Sequence, residues 1–175
     1  MACWMRLAIF QTLSLADGSD QAGSEQRRLW FVIDELDALG RINGMKDALA
    51  RLRKAGGRCV IGFQSIAQVS TTYGHGEART IVENCSNSLI LRCSASEGGG
   101  TSDFASQLIG QREIARETVS VSHSSSFLQR RQRSVSYGTE HRIEQAVLPS
   151  EIESLPDRQG YLKASSSDVW VRVAF

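Results

Sequence analysis

The stretch Leu29-Trp30-Phe31-Val32-Ile33-Asp34-Glu35 sets five apolar residues, most of them β-branched or aromatic, directly before two adjacent carboxylates. An apolar run with no polar alternation predicts a strand covered on both faces, as at the centre of a parallel sheet. Open α/β sheets bind their ligands outside the carboxyl ends of the strands, so Asp34 and Glu35 fall where such a site forms. Downstream, Met45, Ala48, Leu49 and Leu52 share one face of a helix running from about Gly44 to Ala55, and Gly56-Gly57 stops it. A second apolar run, Cys59-Val60-Ile61-Gly62-Phe63, follows at once. Two helical stretches then lead through Tyr73-Gly74 and Ala78 to Glu83, and a third run, Ser88-Leu89-Ile90-Leu91-Arg92, comes next. Strands alternating with helices across short crossovers predict an α/β fold with a mostly parallel central sheet and right-handed connections.

Beyond a helix expected over Thr101 to Ile109, the period changes to two in Thr118-Val119-Ser120-Val121-Ser122 and Ser134-Val135-Ser136-Tyr137. This predicts a β-ribbon whose polar, basic tip spans Ser124 to Arg133. The only two prolines, Pro149 and Pro156, bracket a short helix, and Gly160 to Lys163 with Val169 to Val173 read as a C-terminal hairpin. At the other end, Trp4, Leu7, Ala8 and Leu15 form one stripe of an amphipathic helix over Met1 to Ala16, and Gln11, Thr12 and Ser14 make that segment too polar for a secretory signal. A polar, Gly/Ser-containing loop from Asp17 to Gln26 joins it to the first strand.

The length of 175 residues suits one domain, and 41% hydrophobic with 22% charged residues excludes disorder and fibrous repeats. With 20 Lys+Arg against 19 Asp+Glu there is no basic field over the whole chain, so contact with nucleic acid must come from a local patch or an assembly of many copies. Cys3, Cys59, Cys85 and Cys93 form no C-x-x-C pair and His75, His123 and His141 lie apart from them, so no zinc pattern is present. Cys59 and Cys93 sit in apolar runs as small buried thiols, which fits a reducing compartment. No segment reaches the roughly 20 apolar residues of a transmembrane helix, and the chain is expected to be soluble.

In P-loop ATPases an Asp-Glu pair at the end of a buried strand is the Walker B arrangement: the Asp holds the Mg²⁺ shell through water, and the Glu polarises the attacking water. An acidic helix cap would leave the same two residues. Gln64, directly after the second apolar run in Ile61-Gly62-Phe63-Gln64-Ser65, offers a neutral amide that can hydrogen-bond a γ-phosphate and the lytic water, or else belongs to a Gln-Ser helix cap. Glu97-Gly98-Gly99-Gly100-Thr101-Ser102 lacks a lysine, and its glycines read as a turn into a capped helix rather than a phosphate cradle. Nothing in the chain reads G-x-x-x-x-G-K-[ST].

The segments Trp30 to Leu36, Ala50 to Gly57, Gly62 to Gln68, Tyr73-Gly74, Leu108-Ile109-Gly110-Gln111-Arg112-Glu113 and Val147-Leu148-Pro149-Ser150-Glu151-Ile152-Glu153-Ser154-Leu155-Pro156-Asp157 resemble, in order, the type IV coupling proteins of conjugation, the TraD/TrwB/TraG kind. The resemblance implies a RecA-like, hexamer-forming, DNA-translocating ATPase that uses ATP and Mg²⁺. Such a protein joins the relaxosome to a type IV secretion channel at the cytoplasmic face of the bacterial inner membrane. It implies catalytic roles for Asp34, Glu35 and Gln64, Mg²⁺ held by Asp34, and a role for Arg53 at a neighbouring subunit's nucleotide. Physically, Arg53 lies outside the core stripe of its helix, where it can serve in trans or simply be solvated. The basic loop Arg130-Arg131-Gln132-Arg133 can touch DNA or a partner, or be a solvated tip. Where the family often has a lysine after Tyr-Gly, this chain has His75-Gly76.

With neither a phosphate loop nor the family's membrane helices and all-α domain, residues 1–175 are expected to be the carboxyl-terminal part of one RecA-like domain. On this reading the chain alone binds no nucleotide, hydrolyses no ATP and touches no membrane. The rival readings are a non-catalytic RecA-like binding module and a motor of the FtsK/HerA type. The latter leaves the Leu148-Pro149-Ser150-Glu151-Ile152 signature unexplained.

Overall fold

The computed structural model describes residues 2–17, 28–95, 100–124 and 132–175. The decisive strand is β1 (Leu29–Ile33), and it pairs in parallel with β2 (Gly57–Ile61), Leu29 opposite Gly57 and Ile33 opposite Ile61. Between them run α2 (Met45–Leu52) and a 3-10 turn over Arg53–Ala55. Met45, Ala48, Leu52 and Ala55 are buried at helical spacing, and Gly56 ends the segment in the left-handed region at φ 75, where a side chain would be strained. Next come α3 (Ile66–Tyr73) and α4 (His75–Glu83), which meet at Gly74. Phe31, Ile33, Leu36, Ile42, Met45, Val69, Tyr73 and Ile81 close one core on a single face of the β1–β2 pair.

The other face differs from the sequence expectation. Trp30 is 59% and Val32 65% exposed, and across the register they meet Arg58 and Val60. Among the described residues no layer covers this face; the Arg58 guanidinium lies 5.6 Å from the Trp30 ring centroid, a cation–π contact. The apolar run reports that both faces demand cover, but the described helices supply it to only one. The third run also departs from the expected series. β3 (Ser88–Ile90) does not extend the parallel pair but joins β6 (Gln159–Lys163) and β7 (Val171–Ala174) in an antiparallel sheet ordered β3-β6-β7. A three-residue strand carries too little pattern to choose its partner, whereas β6–β7 is the expected hairpin and offers it an edge.

α5 (Gly100–Ile109) and α6 (Pro149–Glu153) pack together beside that sheet, and Ala105, Ile152 and Leu155 form a second core with Ile90 and Tyr161 against it. Between these helices rises the ribbon of β4 (Gln111–Ser124) and β5 (Gln132–Gln145), in register from Gln111 opposite Gln145 to Ser124 opposite Gln132. Gly110, at φ 100, turns the chain from α5 into it. The basic stretch at Arg130 and Arg131, the loop from residue 18 to 26 and Glu97 to Gly99 lie outside the described residues. The N-terminal helix α1 (Ala2–Asp17) forms as expected but presents a different stripe. Ile9 and Thr12 are buried with Met5 and Leu13 partly so, whereas Trp4, Leu7 and Phe10 are exposed. Thr12 can take an inward position because its hydroxyl donates to the Ala8 carbonyl at 2.8 Å, leaving no bare polar group.

Candidate functional site

β1 ends at Ile33, and Asp34 and Glu35 follow it as exposed side chains at the carboxyl end of the pair. The ladder continues one step beyond the strands. The Gly62 N–H donates to the Ile33 carbonyl at 2.7 Å, and the Gly62 carbonyl accepts from the Leu36 N–H at 3.0 Å. This draws residues 34 to 36 tightly against Gly62, and a Cβ there would run into the Asp34 carbonyl oxygen, so only glycine permits the approach. Two residues on, the Gln64 Nε2 donates to Glu35 Oε1 at 2.8 Å. Asp34, Glu35 and Gln64 therefore share one edge of one parallel pair.

Ser65 stands at the N-cap position of α3 but makes no side-chain cap bond. The Ile66 N–H donates instead to Thr101 Oγ1 of α5 at 3.3 Å, tying the second core to the edge of the site. The segment after the acids is braced from α3 and α4. The Tyr73 hydroxyl accepts from the Ile42 N–H at 3.2 Å and donates to the Gly40 carbonyl at 3.4 Å, while Arg41 pairs with Glu77 at 2.7 Å. Burial pushes the Tyr73 phenol above its ordinary pKa, which keeps it a donor. Sequence reasoning did not find the bracing roles of Tyr73 and Thr101. Tyr73-Gly74 stood out only as a motif, and both contacts join residues more than thirty positions apart.

Arg53 is not brought to this edge. It is the exposed first residue of the 3-10 turn that leads into Gly57, the amino end of β2, so a five-residue strand of roughly 16 Å separates it from the acids. Among the described residues no group of three or more His, Cys, Asp and Glu side chains is gathered around a metal position. Asp34 and Glu35 instead offer a carboxylate edge open to water. That donor set suits Mg²⁺, which keeps most of its water and takes one or two carboxylates together with phosphate oxygens. No described helix is long and apolar enough to cross a membrane.

Residues 1–175 match the family described as the type IV secretion-system coupling protein DNA-binding domain. The chain belongs to this coupling protein family. It is 28% identical over 162 residues to the coupling protein TraD of Escherichia coli (strain K12), a match covering 93% of the chain and 21% of TraD. Among solved structures it is similar to the plasmid coupling protein TrwB in complex with the non-hydrolysable ATP analogue ADPNP, at TM-score 0.74, 27% identity and 98% of the chain. TrwB in complex with ADP and Mg²⁺ matches at TM-score 0.72, with 28% identity and the same coverage. The chain thus spans about a fifth of TraD and about a third of the TrwB chain. Within the coupling protein family, the match decides against the FtsK/HerA reading.

Proposed function

We propose that this chain is the carboxyl-terminal, Walker B-bearing part of the RecA-like nucleotide domain of a DNA-translocating coupling ATPase. Such a protein delivers DNA or protein substrates to a type IV secretion channel. The observation that carries the reading is the shared edge, where adjacent carboxylates end one strand and an amide from the next strand meets one of them at 2.8 Å. Asp34 would hold Mg²⁺, which would supply positive charge to the phosphates. Glu35 accepts the proton of a water aligned for attack, and the Gln64 amide donates toward a terminal phosphate oxygen. Bound MgATP supplies the phosphoryl group and the charge that these residues orient. Arg53, exposed at the opposite end of β2, serves a neighbouring subunit in a homo-hexameric ring. The family's TrwB, solved with ADPNP and with ADP and Mg²⁺, supports ATP and Mg²⁺ as the cofactors of the complete protein. DNA, the relaxosome and the channel proteins are the partners this reading assigns, at the cytoplasmic face of the inner membrane.

Without a G-x-x-x-x-G-K-[ST] sequence, these 175 residues have no backbone cradle or lysine for the β- and γ-phosphates, and hydrolysis by the isolated chain is not expected. The test is Mg²⁺-dependent ATPase activity. The isolated chain is expected to be silent. In the full coupling protein carrying it, Glu35→Gln is expected to lower turnover by about 10² to 10⁴, the scale of general base catalysis, with nucleotide still bound. Turnover by the isolated chain, or full turnover by Glu35→Gln, would overturn the assignment.

A further inference from the structure

The N-terminal helix α1 carries apolar side chains on both of its sides. Met5, Ile9 and Leu13 turn one stripe into the first core, and Thr12 is buried beside them. Helical spacing puts Trp4, Leu7 and Phe10 on the opposite side, where they are 74%, 44% and 66% exposed. Cys3, Gln11 and Ser14 share that side, exposed and uncharged, and Arg6 is the only charged residue of the helix before its terminal Asp17. A surface helix ordinarily turns its charges to water, and one that is apolar all round is buried. Among the described residues nothing covers this outer stripe.

The place of α1 in the fold points to what does. The helix lies against α2 and the 3-10 turn that begins at Arg53, and Leu52, one residue before Arg53, shares a core with Ile9. The helix bearing the stripe is thus continuous with the surface that Arg53 offers to a neighbouring subunit. Charge agrees with a head-to-tail contact. Arg53 and Lys54 are exposed before the amino end of β2, and Asp34 and Glu35 are exposed after the carboxyl end of β1, so copies packed in sequence bring opposite charges together. Contacts of that kind close into a ring when the rotation between copies allows it.

We propose that the outer stripe of α1, centred on Leu7, is the apolar part of the contact between subunits: its occupant is a second copy of this chain, and the contact seats Arg53 at the neighbour's nucleotide. The proposal rests on the reading of Arg53 given above. Stable interfaces have an uncharged, aromatic-rich centre inside a polar rim, and Trp4, Leu7 and Phe10 with Arg6 at their flank have that composition.

In the full coupling protein carrying this chain, Cys3 lies on the stripe and reports its cover without a substitution. Its reaction with maleimide, read by mass spectrometry of the modified peptide, is expected to slow about tenfold in assembled protein relative to protein diluted below assembly. Leu7→Glu sets a charge at the centre of the stripe. It is expected to raise the subunit concentration needed for assembly by about 10- to 100-fold, the scale of a lost interface anchor, while the dispersed subunit keeps the melting temperature of the parent. Equal labelling of Cys3 in dispersed and assembled protein overturns the proposal. So does protection already present in the dispersed subunit, or a lowered melting temperature in Leu7→Glu, since either assigns the stripe to another part of the same polypeptide. Labelling that slows only with vesicles of anionic phospholipid assigns it to a membrane surface and overturns the proposal equally. If rings form normally in Leu7→Glu and mixed Arg53→Ala and Glu35→Gln subunits still complement each other, only this contact fails; a full protein that never assembles removes the reading of Arg53 together with it.

Discussion

Cys59 occupies the middle of β2, half buried, and its thiol is pushed from 9.0 to about 11, first by burial and second by the neighbouring Cys85. Cys85 and Cys93 are also raised, each chiefly by burial, whereas Cys3 is exposed. Thiolate is the reactive form, so a maleimide at pH 8 should label Cys3 first, with the Cys59 rate climbing about tenfold per pH unit toward pH 11. The stability consequence has a definite sign. Above pH 9.0 the unfolded chain releases the Cys59 proton while the folded chain keeps it until about 11. Unfolding free energy is therefore fully present below pH 9.0 and falls through that window. Denaturant midpoints measured across this range should fall less steeply in Cys59→Ala, and equal slopes would show that the thiol is not held protonated by the fold.

At the scale of single elements, α6 separates two kinds of support. Pro149 occupies the first turn, where its missing N–H costs nothing, and the Glu151 carboxylate accepts the Leu148 N–H at 2.7 Å. That contact lies at the surface. Ile152, one residue on, is fully buried in the second core. Glu151→Ala is expected to cost about 0.5 to 1 kcal/mol, a lost cap bond. Ile152→Ala should cost about 2 to 5 kcal/mol, a lost side chain plus the cavity it leaves. Urea denaturation of the two variants checks the order, and a larger loss for Glu151→Ala would mean that the cap, not the core, holds the helix.

Over the whole molecule, the parallel pair with α2, α3 and α4 forms one core, while α5, α6 and the antiparallel sheet form the other. The Thr101 to Ile66 bond joins them beside the acids. Arg53 stands before the amino end of β2, the far end of that strand from Glu35, and on the proposed reading the two would meet at one nucleotide only between neighbouring subunits of a ring. In the full coupling protein Arg53→Ala should reduce ATPase activity by about 10³ to 10⁵, the range of arginine fingers, with nucleotide binding retained. Mixing inactive Arg53→Ala subunits with inactive Glu35→Gln subunits should restore activity at the interfaces that pair an intact arginine with an intact glutamate. No recovery in assembled mixed rings would remove Arg53 from the neighbour's site.

Local patterns were sufficient for much of this. The apolar run of β1, the 3.6-residue spacing of Met45, Ala48 and Leu52, the glycine stop at Gly56 and the period-two ribbon each follow from interactions within one element or between neighbours in sequence. The edge carrying Asp34, Glu35 and Gln64 was legible for the same reason, because each residue lies within three positions of the carboxyl end of its strand and a short crossover makes those strands parallel neighbours. Tertiary structure decided the rest. Which stripe of α1 turned inward depended on the surface offered by α2 and the adjoining turn, and Thr12 could join it by bonding its own helix. β3 paired with β6 because a three-residue strand takes whatever edge the completed hairpin presents. Tyr73, Thr101 and the bond from Gln64 to Glu35 join residues 29 to 35 positions apart, and no periodicity within an element reports which distant partner a polar side chain will meet.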